Sequence, residues 1–183
     1  MKYKVAVIIG SLRKESYNRR LANALIKSAQ NVMDCEIVEI GNLPLYNQDF
    51  EDTPGQAVIE FKEKIFNKDG VIFVTPEYNR SIPGVLKNAI DIGSRPKKES
   101  VWSRRPAGII GCSPGPIGTA LAQQHLRNIL AHLDMPTLGQ PEFFLQVTDG
   151  TFLADGSLAE KSQKHLERWI ESFALWLQIH TNK

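Results

Sequence analysis

Val5-Ala6-Val7-Ile8-Ile9 is an unbroken, β-branched-rich run closed by Gly10, and it constrains the fold more than any other stretch of the chain. A strand with one wet face alternates polar and apolar residues. One without alternation is covered on both faces, the condition of a parallel sheet with helices above and below it. From Asn18 onward, Leu21, Ala22, Leu25, Ile26 and Ala29 recur at helical spacing, so the chain passes from central strand to amphipathic helix across Ser11 to Asn18.

The same alternation continues along the chain. Glu36 to Ile40 alternates charged and apolar residues and reads as an edge strand; Val71 to Val74 and Ala107 to Ile110 read as buried strands, and a fifth strand is expected near Pro141 to Val147. Between them, helical stripes run through Val58, Phe61, Ile65 and Phe66, through Val85, Leu86, Ala89 and Ile90 after Pro83-Gly84, and through Leu121 to Leu133. A last helix is expected over about Leu158 to Ile179, with Trp169 and Trp176 at core spacing. Parallel neighbours need right-handed crossovers, so the pattern specifies an α/β, doubly wound, five-stranded parallel sheet with helices on both faces. The economical strand order is 2-1-3-4-5, which places a ligand beyond the carboxyl ends of strands one, three and four. Nothing divides residues 1–183 into more than one domain.

Charge and cysteine content narrow the function. Lys and Arg total 22 against 20 for Asp and Glu, too balanced for a general nucleic-acid binder. Cys35 and Cys112 make no disulfide framework, no His or Cys spacing suggests a metal, and no apolar run approaches the roughly 20 residues of a membrane span. The N-terminal segment lacks the features of a signal peptide, so the cytoplasm is the expected location.

Three loops carry the chemistry. The first, Gly10 to Arg19, feeds a helix N-terminus whose unpaired amides favour an anion; Ser11, Ser16 and Asn18 offer donors and Arg13 a charged fork, together matching a phosphate monoester. The competing reading is a capped helix beneath a solvated basic loop. Neither the G-x-G-x-x-G dinucleotide fingerprint nor a triphosphate-binding G-x-x-x-x-G-K-[ST] is present, so the hydroxyl-rich loop suggests the single phosphate of FMN. The second loop, Thr75 to Pro83, holds Tyr78 among backbone-rich polar residues that can border a planar ring; alone it is equally an ordinary turn with an exposed tyrosine. The third, Cys112 to Thr119, supplies glycines for close backbone approach, or simply a Pro/Gly turn. Cys112 is expected to be packing rather than a nucleophile, because a phosphatase-type loop would place arginine where Gly118 stands. His125, His132, His165 and His180 read as satisfied or solvated, and Trp102 in its basic connector has no legible role.

Taken together these segments resemble the NADPH-dependent FMN reductase family, particularly its bacterial chromate and quinone reductase branch. The resemblance rests on Gly10-Ser11-Leu12-Arg13 with Ser16 and Asn18, on Thr75 to Asn79 with Ser81 to Gly84, on Leu86 to Asp91, and on Ser113-Pro114-Gly115 with Gly118. It implies a flavodoxin-like fold, and FMN as cofactor with NADPH or NADH as reductant. Ser11, Arg13, Ser16 and Asn18 would hold the phosphate, with Tyr17 beside them. Pro76, Glu77, Tyr78, Asn79, Ser113 and Gly115 would border the isoalloxazine. It also implies a homodimer or homotetramer with the helices after the second and third loops in its interface. Three positions depart from the family pattern: Glu15 replaces a frequent glycine, Ile92-Gly93 a frequent tryptophan-containing stretch, and Thr119 a common second glycine.

On that reading no side chain acts as catalyst; the flavin passes electrons in ping-pong fashion to quinones, free flavin, chromate or similar small acceptors. The main alternative is a flavodoxin-type electron carrier, although carriers use a strongly acidic surface that this slightly basic chain lacks. A flavin-free phosphate-binding or signalling domain of the same fold is the other.

Overall fold

The computed structural model describes residues 2–181. Five strands, β1 (Tyr3–Ile9), β2 (Met33–Ile37), β3 (Gly70–Val74), β4 (Ala107–Ser113) and β5 (Phe143–Gln146), form one parallel sheet in the order β2-β1-β3-β4-β5. Helices α1 (Tyr17–Ala29), α2 (Gln56–Phe66), α3 (Gly84–Gly93), α4 (Ala120–His132) and α5 (Glu160–Thr181) provide the crossovers and the C-terminal cover.

Successive strand residues point to opposite faces, so the sheet divides the core in two. Val5, Val7, Ile9, Ile72 and Val74 pack with Leu21 and Leu25 of α1 and with Leu166, Trp169 and Phe173 of α5. Ala6, Ile8, Val71, Phe73 and Ile109 pack on the other side with Phe61 of α2, Leu86 of α3 and Leu126 of α4. Both faces of β1 and β3 are therefore dry, which explains why their sequences do not alternate.

Two strands depart most from the sequence expectation. β2 begins three residues earlier than Glu36 and ends at Ile37, because Tyr3 pairs with Met33 and Val7 with Ile37. Val38 still donates to the Val7 carbonyl at 2.9 Å before the chain turns in, and Val38 and Ile40 are buried in the α2/α3 side of the core rather than in the ladder. That burial continues the alternation beyond the strand. β4 runs on to Ser113 because β5 offers Leu145 and Gln146 as partners to Cys112 and Ser113.

The connector after α3 is anchored by Trp102. Its ring is fully buried, its Nε1 donates to the Ile90 carbonyl at 2.8 Å, and Phe61 meets it edge-on at 6.2 Å between centroids. Gly93 makes room for it, since a Cβ there would lie 2.4 Å from the indole. Arg105, its cationic form disfavoured by burial, donates to the carbonyls of Val101, Lys68 and Phe66 and so closes the end of α2. We expect Gly93→Ala to destabilise the fold by roughly 1–3 kcal/mol through overpacking against the indole. Urea denaturation followed by tryptophan fluorescence measures this, and an unchanged midpoint would contradict the described packing.

Candidate functional site

The sheet order puts the carboxyl ends of β1, β3 and β4 side by side, and specific contacts tie their loops together. Gly10 is the first. A Cβ there would sit 3.1 Å from Leu86 and 3.4 Å from Pro76, so its bareness lets the first loop close against the second loop and α3.

Asn18 is the second tie. Its Nδ2 donates to the Cys112 carbonyl at 2.9 Å and its Oδ1 accepts from the Cys112 amide at 3.0 Å, all of it buried. Asn18 was expected to serve a phosphate. Instead both ends of its amide are committed to the end of β4, with one N–H left over. The remaining first-loop residues are open. From Ser11 through Asn18, no backbone amide makes a well-formed hydrogen bond within the described residues. Ser11 is only 5% exposed, yet its hydroxyl has no protein partner among them. Ser16 caps α1, its Oγ accepting from the Arg19 amide at 3.3 Å, which leaves its own O–H to donate. Hydroxyls that still reach solvent and amides without protein partners, gathered at a helix N-terminus, have the character of an anion cradle. Arg13 stands at its rim, donating to the Glu15 carbonyl at 3.1 Å with its guanidinium 5.8 Å from the Tyr17 ring. Farther along α1, Arg19 turns away to pair with both carboxylate oxygens of Glu39 at 2.9 Å.

The second loop is a tight hairpin. Tyr78 and Ser81 exchange backbone hydrogen bonds of 2.9 and 3.0 Å around Asn79 and Arg80, whose φ angles of 52° and 64° are the left-handed pair of a type I′ turn. Tyr78 is half exposed, and the amides of Glu77 and Asn79 have no acceptor among the described residues. The Glu77 carboxylate, by contrast, is engaged within the protein: its Oε2 accepts from the amides of Leu121 and Ala122, both at 3.0 Å. Ser81 Oγ lies 2.7 Å from His125 Nδ1, so His125 is indeed satisfied. The sequence carried no signal for the Glu77 contact, because its partners are 44 and 45 residues away.

In the third loop the Ser113 hydroxyl donates to the Gly118 carbonyl at 2.5 Å and fixes the turn. Gly118 has φ +63°, and a Cβ would come within 3.1 Å of the β5 backbone, so glycine is required there. Gly115, exposed and with an unengaged amide, leaves its backbone accessible. Thr119 is fully buried: a Cβ on Gly111 would lie 2.3 Å from its Oγ1, so Gly111 is what admits this threonine. Burial pushes the Cys112 thiol up to about 12 and the Cys35 thiol to about 11. Neither is a thiolate near neutrality.

Two concavities lie on other faces. A pocket of about 330 Å³ is lined by Leu45, Phe50, Val58 and Arg95, and a groove of about 710 Å³ runs between α3 and α4 over the connector. No helix among the described residues is long and apolar enough to cross a membrane.

A doubly wound sheet whose switch point gathers an open helix N-terminus, a tight hairpin and a glycine turn defines a flavodoxin-like protein. Residues 3–149 match the model of the NADPH-dependent FMN reductases, and the chain belongs to that family. It is 46% identical over 179 residues to a quinone reductase of Pseudomonas putida, covering 97% of this chain and 96% of the relative. It is 44% identical over 179 residues to a 2-hydroxy-1,4-benzoquinone reductase of a Burkholderia species, covering 97% and 98%. A solved structure of FerB, a flavoenzyme NAD(P)H:(acceptor) oxidoreductase from Paracoccus denitrificans, superposes with a TM-score of 0.94 at 41% identity, covering 97% of this chain and 98% of that one.

Two outcomes test this geometry. Asn18→Ala strands the buried amide and carbonyl of Cys112 and should cost roughly 1–3 kcal/mol in chemical denaturation. Because both thiols titrate well above their ordinary range, iodoacetamide at mildly alkaline pH should label neither cysteine appreciably until denaturant is added, as mass spectrometry would show.

Proposed function

We propose that this protein is an FMN-dependent NAD(P)H oxidoreductase whose acceptors are quinones and other small oxidants, free flavin and chromate among them. The observation that carries this reading is the first loop: open amides from Ser11 to Asn18 and two buried serines, Ser11 and Ser16, at one helix N-terminus. These residues fit the phosphate of FMN in charge, donor number and burial.

The α1 amides, the hydroxyls of Ser11 and Ser16 and the Arg13 guanidinium hold the phosphate, helped by the spare N–H of Asn18, while Tyr17 stacks beside Arg13 and limits its swing. Pro76, Tyr78, Asn79 and Gly115 border the ring, with the amides of Glu77, Asn79 and Gly115 as donors to its polar edge. Ser113 acts through its turn and Glu77 through its backbone, since both side chains are engaged elsewhere. FMN held there would supply the redox chemistry, with a nicotinamide as the source of reducing equivalents and a quinone or similar oxidant as their outlet. The protein's part is orientation and stabilisation of charge by fixed amides. No side-chain nucleophile is needed, in keeping with two buried or half-buried neutral thiols.

The chain acts as one FMN-binding unit and assembles as a homodimer or homotetramer through α3 and α4, whose intervening groove of about 710 Å³ mixes Ile90, Ile129 and Leu133 with charged residues. Its two free thiols suit a reducing, cytoplasmic setting.

The protein supplied with FMN should show a bound-flavin visible spectrum that bleaches rapidly on anaerobic addition of NADPH or NADH and returns on addition of a benzoquinone. Absence of flavin binding would overturn the reading. Arg13→Ala should weaken FMN retention by roughly 1.5–3 kcal/mol, the contribution of a charge-assisted hydrogen bond. Unchanged affinity in a flavin titration would remove Arg13 from the site.

A further inference from the structure

Helix α4 begins at the third loop, yet its N-terminus is closed by a residue of the second. Its N-cap, Thr119, makes no side-chain capping bond, and the orphan amides of Leu121 and Ala122 both go to one oxygen of Glu77. The Glu77 side chain is only 11% exposed, and its single ion pair, to Arg80, is long at 3.9 Å. An acceptor oxygen at that place, largely shielded from water, satisfies two otherwise unpaired donors of the helix N-terminus. Four residues on, Ser81 meets His125 on the exposed side of the same helix at 2.7 Å. Between these attachments stands the strained turn of Asn79 and Arg80.

We propose that Glu77 is a positioning residue: by occupying the α4 N-terminus it locks the Tyr78–Ser81 hairpin to the third loop, with Ser81 and His125 as the second attachment, so that the ring-bordering amides of both loops are held as one rigid unit. The same contact keeps the α4 N-terminus from serving as an anion site, while that of α1 stays open beside it. This inference rests on the reading that the second loop borders the flavin ring.

The test compares FMN-loaded wild type, Glu77→Ala, Glu77→Gln and Tyr78→Ala by the visible flavin spectrum, FMN affinity, kcat and KM with NADPH and a benzoquinone, and thermal midpoint. Glu77→Ala should perturb the ring bands, lower kcat and weaken FMN binding about tenfold, the equivalent of one net hydrogen bond. Glu77→Gln, whose amide oxygen can still accept from both amides, should restore spectrum and kcat. A lowered thermal midpoint with wild-type spectrum, affinity and kcat in Glu77→Ala would reduce Glu77 to a helix cap and overturn the proposal. So would a Glu77→Gln as defective as Glu77→Ala, since charge rather than position would then matter. Should Glu77→Ala fail to fold, His125→Ala takes its place: perturbed ring bands support the clamp and unperturbed ones overturn it. Tyr78→Ala separates the two levels. If it perturbs the flavin and Glu77→Ala does not, the positioning role alone fails; if neither does, the second loop does not border the ring.

Discussion

The structure depends on one constraint: a parallel sheet must be covered on both faces. β1 and β3 have no wet side, so every connection between neighbouring strands has to climb over the sheet as a helix and return. Helices packed this way all begin at the carboxyl edge of the sheet, and with them come unpaired amides. Where the strand order reverses beside β1, adjacent crossovers leave to opposite faces and a gap opens between them. The binding site is a by-product of burying the sheet.

What turns that gap into a site is how each helix start is satisfied. At α1 the Ser16 cap serves a single amide, and the loop before it stays open. At α4 the Glu77 carboxylate closes two. Asn18 ties the open end to β4, and Gly10 brings Pro76 and Leu86 against it. The loops thus interlock through contacts that cross long stretches of chain, and of the two helix starts they join, that of α1 is the one left open. A rigid frame of this kind suits a family whose cofactor, rather than a side chain, carries the reaction.

The basic connector shows how a segment opaque in sequence acquires meaning. Trp102 lies among lysines, arginines and serines, where no periodicity announces burial. Only the space left by Gly93, together with the neighbouring Phe61 and Phe73, makes it a core residue. The same holds for Arg105, whose value lies in the carbonyls at the end of α2.

By itself the sequence determined the strand and helix alternation, because unbroken apolar runs and helical stripes are local signals; the sheet order followed from right-handed crossovers between parallel neighbours, and the cofactor class from a hydroxyl-rich loop read together with the family resemblance. The limits of β2 and β4 escaped it, since a strand ends where its partner ends and pairing is non-local. Which loop side chains the protein itself engages escaped it for the same reason. Asn18, Glu77 and Ser113 are the residue types that bind a ligand, but backbone groups brought close by the fold claim them first. Which polar groups remain open is a property of three-dimensional neighbours, and only the tertiary structure decided it.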